Sequence, residues 1–175
     1  MSGVGTKHTL KLLIDTSVWL DYFFARTNAT RPIVELFFRA AEAEDIILFS
    51  SSLSVKDVYY ILGRAMKADV RRVGALTPEA IAGADETAWA CVRLIRQKSI
   101  IASVGADEVF DSFVFRHHHN DFEDDLMLGV ANRIDVDYVV TEDKNLIKHT
   151  NGVCINVDQA LRLVEGSNVS STRPV

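Results

Sequence analysis

The stretch Leu10-Lys11-Leu12-Leu13-Ile14, followed at once by Asp15-Thr16-Ser17, constrains this chain more than any other. An apolar run broken only by Lys11 reads as a short strand buried on both faces, and a helical pattern begins directly after it. A carboxylate at the carboxyl end of a buried strand sits where open α/β sheets keep their ligand crevices. The alternative use of Asp15 or Thr16 is to cap the helix that follows.

The rest of the sequence repeats this alternation. Ser17 to Phe24 reads as a short helix, Arg26 to Arg31 as a turn, and Pro32 stands early in a helix that continues to about Glu44. Ile46 to Phe49 is a second buried strand, and Leu53 to Ala68 has helical spacing, with Ser54 and Asp57 placed as a near capping box. Thr77-Pro78-Glu79 starts another helix, Gly83 marks a break, and the helical period resumes from Ala88 to Gln97. Ser99 to Val104 is a short strand and Asp107 to Phe115 a helix ending at His117-His118-His119. A helix from Asn120 to about Arg133, a strand Tyr138–Val140, a helical turn Asn145–Lys148, a strand Val153–Asn156 and a helix capped by Asp158 complete the chain. Strands alternating with helices predict a central parallel sheet covered on both faces.

At 175 residues one domain is expected, over 10–165, between loose segments at 1–9 and 166–175. A hydrophobic fraction of 48% with 25% charged residues fits a soluble protein with one sizeable core. No apolar run reaches membrane-spanning length and no signal-peptide core is visible, so a cytoplasmic location without membrane contact is expected. Cys91 and Cys154 form no C-x-x-C pair and read as buried thiols. The net charge of −5 argues against a sequence-specific DNA binder, yet leaves nucleic acid open as a substrate, because acids gathered at a metal are neutralised locally.

Acids recur near strand ends and helix starts: Asp15, Asp57, the group Asp121, Asp124 and Asp125, and Asp143. Right-handed crossovers bring the carboxyl ends of parallel strands to one edge of the sheet. Carboxylates converging there disfavour one another's charge. A hard divalent cation resolves that conflict, and oxygen-only ligands point to Mg²⁺ or Mn²⁺ rather than zinc. Each acid has a plainer use as a helix cap or first-turn residue. Asp121, Asp124 and Asp125 share a helical face by their spacing, with Glu123 pointing elsewhere.

Four segments together resemble the PIN-domain family of metal-dependent nucleases, which includes the VapC toxins of toxin–antitoxin pairs. They are Leu-Ile-Asp15-Thr-Ser, Ser51-Ser-Leu-Ser-Val-Lys-Asp57-Val-Tyr-Tyr, Asp121-Phe-Glu-Asp124-Asp-Leu and Tyr-Val-Val-Thr141-Glu-Asp143-Lys, within roughly Leu10 to Val164. The resemblance implies a three-layer α/β/α sandwich and a homodimer. It implies that Asp15, Asp124 and Asp143 are metal-site acids, with Asp57 catalytic beside them. Thr16, Ser17 and Thr141 are then supporting hydroxyls, and Asp121 and Asp125 supporting acids. The sequence departs from the family at Asp57, where Glu is usual, and at Asp125, where a small apolar residue is commoner.

The activity implied is metal-assisted hydrolysis of a phosphodiester in single-stranded or unpaired RNA, with an antitoxin protein as partner. Arg64, Lys67, Arg71 and Arg72 are candidates for holding substrate phosphates, or they form a solvated helix end. His117 to His119 read as a helix end and loop, because a hard cation site has no need of imidazole. Two other readings remain. One is a catalytically weak scaffold of the same fold, motivated by Asp57. The other is a Mg²⁺-binding receiver-like signalling module, suggested by Thr141 and Lys144.

Overall fold

The apolar run at the amino end forms strand β1 (Leu10–Ile14), in a computed structural model that describes residues 8–25, 30–74, 77–116 and 121–169. Helices α1 (Thr16–Phe24) and α2 (Thr30–Glu42) follow, then β2 (Ile46–Ser51) and the long helices α3 (Ser52–Arg72) and α4 (Pro78–Lys98). Strand β3 (Ile100–Ala102) leads to α5 (Ala106–Phe115) and α6 (Phe122–Ile134). The described chain continues through β4 (Tyr138–Val140), α7 (Lys144–His149), β5 (Cys154–Ile155) and α8 (Val157–Val169). The strands make one parallel sheet in the order β3-β2-β1-β4-β5, with β1 at its centre.

Alternation along the strands sorts the side chains into two layers. Leu10, Leu12 and Ile14 of β1, with Ile46 and Leu48 of β2, Val140 and Ile155, face a core built with α1, α2, α3, α4 and α8. Leu13, Val139 and Cys154 face the other way, onto Met127, Val130 and Ala131 of α6 and Leu146 of α7. Leu12, Leu13 and Ile14 have no exposed surface, and burial of that kind contributes about 2 kcal/mol per side chain. The result is the three-layer α/β/α sandwich with a central parallel sheet that the sequence predicts. Among the described residues no helix is long and apolar enough to cross a membrane.

Several local expectations are corrected. Gly83 does not break the helix at Pro78–Lys98, because Ala84, Ala88, Cys91 and Ile95 bury one continuous stripe that outweighs the roughly 1 kcal/mol cost of a helical glycine. The cap of α8 is Asn156, whose Oδ1 accepts the Gln159 N–H while Gln159 Oε1 accepts the Asn156 N–H. Asp158 therefore lies inside that helix, which runs on to Val169 into the segment read as a loose tail. His117 to His119, the turn residues 26–29 and most of the amino-terminal segment fall outside the described residues.

Helices α5 and α6 are joined by a pair that spacing alone does not reveal. Glu108 is buried, its Oε1 accepts from Arg133 Nε, and its Oε2 accepts the Gly105 N–H at 2.7 Å. Arg133 also donates to the Ser103 carbonyl at 2.5 Å. Burial opposes the charge on Glu108, but Arg133 and the Gly105 N–H hold the carboxyl below its ordinary range. A carboxyl depressed in the folded state contributes stability above its unfolded pKa and loses it as pH falls. Arg133→Met should therefore cost about 2 kcal/mol at pH 7. That deficit should close as pH falls below roughly 4.5, in urea titrations of parent and variant across pH. A deficit unchanged down to pH 3 would contradict this account of the pair.

Candidate active site

The chain runs outward from β1 to β2 and β3, then places β4 on the opposite side of β1. This reversal opens a crevice over the carboxyl ends of β1 and β4, the position open α/β sheets use for ligands. Asp15 follows β1 there and Thr141 follows β4, with Thr141 wholly buried. Asp15 also serves as the N-cap of α1, its Oδ1 accepting the Thr16 N–H at 2.5 Å. Its Oδ2 accepts from Ser17 Oγ at 2.6 Å and from Thr141 Oγ1 at 2.7 Å. The two hydroxyls are oriented in turn by backbone donors, Glu142 N–H to Ser17 at 3.3 Å and Asp143 N–H to Thr141 at 3.0 Å. Cap and crevice carboxylate, posed by the sequence as alternatives, are one residue.

Asp15, Thr16, Ser17, Ser51, Asp57 and Asp124 line a cavity of about 220 Å³, with Glu123 and Met127 of α6 beside them. The capping box expected of Ser54 and Asp57 is not formed. Ser51 caps α3 instead, accepting the Ser54 N–H at 2.9 Å, and the cap falls at the end of β2. Asp57 is left in the second turn, on the cavity wall, with Lys56 Nζ at 2.7 Å.

The acidic group at the start of α6 divides differently from its expected face. Asp121 is the N-cap and spends its Oδ1 on the Glu123 and Asp124 N–H groups at 2.9 and 3.4 Å. With the helix starting at Phe122, Glu123, Asp124 and Met127 turn towards the cavity. Asp125 turns away from it and is buried beside Ser112, Phe113, Arg116 and Phe122. Asp143 caps α7, its Oδ1 accepting the Asn145 and Leu146 N–H groups at 2.7 and 3.2 Å.

Of the basic residues, Lys67 pairs with Asp85 of α4 at 2.6 Å and Arg72 with Asp69 at 3.0 Å. At 1.5 Å rise per residue, Arg71 lies roughly 21 Å along the helix from Asp57. Arg64 is exposed and nearer. Ser51 and Glu123, neither expected at the site, line the cavity, and Lys56 stands beside it on Asp57. A hydroxyl at a strand end, as at Thr141, was the available signal for Ser51. Glu123 and Lys56 required the exact helix phase.

Asp124 carries the electrostatic record of the site. Burial, then the charges of Asp121, Asp15, Asp143 and Asp125, push its carboxyl up to about 7. Among the described residues no three acids converge as a ready-made metal cage. The reason is visible in the caps, since Asp121 and Asp143 are each turned back by two backbone N–H groups of their own helix. Donor chemistry nonetheless suits a hard cation: every polar side-chain group on the cavity is a carboxylate or hydroxyl oxygen.

Between the ordinary aspartate pKa of 3.8 and about 7, folded Asp124 holds a proton that the unfolded chain has released. The folded protein therefore loses stability as pH rises through that window. Asp124→Asn imitates the protonated acid and should remove the loss. In chelator, urea midpoints of parent and variant should nearly coincide below the ordinary aspartate pKa of 3.8, with the variant the more stable by pH 8. Parallel curves would show that Asp124 feels no crowding.

Comparison with known proteins bears on this geometry. A family model described as PIN domain matches residues 11–145. No curated protein gives a significant match to the sequence. Among solved structures, VapBC2 from Rickettsia felis, bound to a DNA fragment from its promoter, aligns with a TM-score of 0.59 and 14% identity, covering 84% of this chain and 98% of the other. VapC20 from Mycobacterium tuberculosis, described as a Sarcin-Ricin loop cleaving toxin, aligns at 0.53 and 15%, covering 79% and 95%. A toxin–antitoxin complex from Klebsiella pneumoniae aligns at 0.53 and 15%, covering 83% and 97%. At such identities the structures speak for the fold alone, while the sequence model spans β1, both long helices, α6 and the Thr141–Asp143 turn. On that match, and with the acids of the matched segment gathered at the switch point of the sheet, this chain belongs to the PIN-domain family.

Proposed function

We propose that the chain is a Mg²⁺- or Mn²⁺-dependent endoribonuclease cutting single-stranded or unpaired RNA, and the toxin of a toxin–antitoxin pair acting in the cytoplasm as a homodimer. The observation that carries the reading is Asp15, fixed by Ser17 and Thr141 at the switch point and facing the same cavity as Asp57 and Asp124. Two likenesses in fold support it: one neighbour is described as a Sarcin-Ricin loop cleaving toxin and another as a toxin–antitoxin complex. The family match leaves no place for the receiver-like alternative.

Asp15, Asp124 and Asp143 are the acids that would hold the cation, with Asp57, a short-armed carboxylate, reaching it through water. The chemistry a divalent ion would supply there is polarisation of the phosphate, acidification of a water and stabilisation of the leaving oxygen. The chain's own contribution is orientation. Ser17 and Thr141 prevent Asp15 from rotating, and their backbone donors keep both hydroxyls aimed at it. Burial and the neighbouring carboxylates push Asp124 up to about 7, and a positive charge in the cavity would favour its ionised form.

A second reading, a catalytically weak scaffold, is favoured by the Lys56–Asp57 pair, because an ammonium already neutralises one of the four acids. One experiment addresses both. Purified parent should cut mixed-sequence single-stranded RNA with Mn²⁺ and not with EDTA. Asp15→Asn should lower the rate ~100-fold or more, the scale seen when a group stabilising the reacting charge is removed. Saturating Mn²⁺ should stabilise the parent by about 2.7 kcal/mol at a hundredfold excess over Kd, and Asp15→Asn should lose most of that gain. A parent that gains stability from Mn²⁺ yet never cuts RNA supports the scaffold. A variant that cuts as fast as the parent removes Asp15 from the site.

A further inference from the structure

The cavity walls explain how a cation is attracted but not how a polyanion approaches them. Asp15, Asp57, Glu123 and Asp124 face the same space, and their summed charge repels a phosphate backbone. The attracting groups lie on the next surface of α3. Lys56, Tyr60 and Arg64 stand at i, i+4 and i+8, so they share one face and follow each other by about 6 Å along the axis. That face begins at the cavity, where Lys56 Nζ lies 2.7 Å from Asp57 with its side chain half exposed. Tyr60 is 59% exposed, far more than packing against the core requires. Its ring meets Tyr59 edge to face at 5.3 Å, and Tyr59 rests on Trp89 at 5.1 Å, which holds the phenol in place while leaving it open to solvent. Arg64 is exposed two turns on from Asp57. The neighbouring cations are engaged elsewhere, Lys67 with Asp85 and Arg72 with Asp69.

We propose that Lys56, Tyr60 and Arg64 form a track that leads single-stranded RNA along α3 into the acid cavity. Lys56 and Arg64 hold phosphates, and Tyr60 stacks on the base between them. Cations that follow a backbone, with an aromatic ring serving as a base platform, are how proteins bind single strands without reading their sequence. Lys56 exchanges a carboxylate for a phosphate when the strand arrives. The track rests on the ribonuclease reading.

The test uses the full chain and a labelled single-stranded oligoribonucleotide of mixed sequence. Affinity is measured by fluorescence anisotropy in EDTA, and kcat and KM with Mn²⁺. Tyr60→Ala should weaken binding about tenfold and Tyr60→Phe should not, because stacking uses the ring rather than the hydroxyl. Lys56→Gln and Arg64→Gln should each reduce the salt slope of log K by about 0.7, the share of one phosphate on a single strand. Lys67→Gln and Arg72→Gln should leave the slope unchanged. For Tyr60→Ala and Arg64→Gln the loss should appear in KM, with kcat retained. If the parent binds and cuts RNA while all three track variants, folded by circular dichroism, match it in Kd and KM, the track is wrong and the ribonuclease reading stands. A Tyr60→Ala variant that keeps its RNA affinity but changes sedimentation from dimer to monomer assigns this face to protein contact and overturns the track. RNA neither bound nor cut by the parent overturns both.

Discussion

The 2.7 Å bond from Thr141 Oγ1 to Asp15 Oδ2 ties together the carboxyl ends of β1 and β4, strands adjacent in space and 126 residues apart in sequence. Everything else at the site is placed by reference to it. Thr141 is held by Ile155 through its own N–H and by Asp143 through its hydroxyl, so the two strands, the turn after β4 and the start of α1 form one rigid corner. A carboxylate that receives two hydroxyls and a backbone N–H keeps its charge in a fixed direction. The rest of the acidic set is arranged around that fixed charge.

That arrangement is a compromise between two claims on the same carboxyl groups. Asp121 and Asp143 satisfy the open N–H groups of their helices, and the helix dipoles favour them there. Asp124, three positions beyond the cap of its helix, has no such outlet, and burial together with the charge of its neighbours pushes its carboxyl up to about 7. Capping thus shields some of the acids from one another and leaves Asp124 the most sensitive to charge entering the cavity.

The central strand, its terminal Asp15 and the buried Thr141 were legible because a two-faced parallel strand writes itself as an unbroken apolar run, and the polar residue ending it is conspicuous. The layers followed from alternation of strands and helices. What stayed hidden depended on single-residue phase. Taking Asp121 as helical rather than as the cap rotated the predicted face of α6, so that Asp125 was read towards the cavity and Glu123 away from it. Ser51 does not stand out as the cap because three serines in a row disguise which one caps. Gly83 was read as a break because a lone glycine carries a penalty in sequence, while the buried stripe that overrides it becomes apparent only when α3 lies against α4. Glu108 and Arg133 are 25 residues apart on different helices, and nothing local announces that they meet.

The long reach of the Asp15–Thr141 bond also orders events in time. Residues 15, 51 and 57 leave the ribosome well before 124, 141 and 143. At ~5–20 residues per second, the 126 positions between Asp15 and Thr141 take roughly ten seconds to make. Through that interval β1 lacks its neighbour on one side, and the Asp15 carboxylate lacks the hydroxyl that fixes it. A nascent chain therefore lacks this corner until synthesis has passed β4, and the cavity is completed only after most of the described fold has been translated.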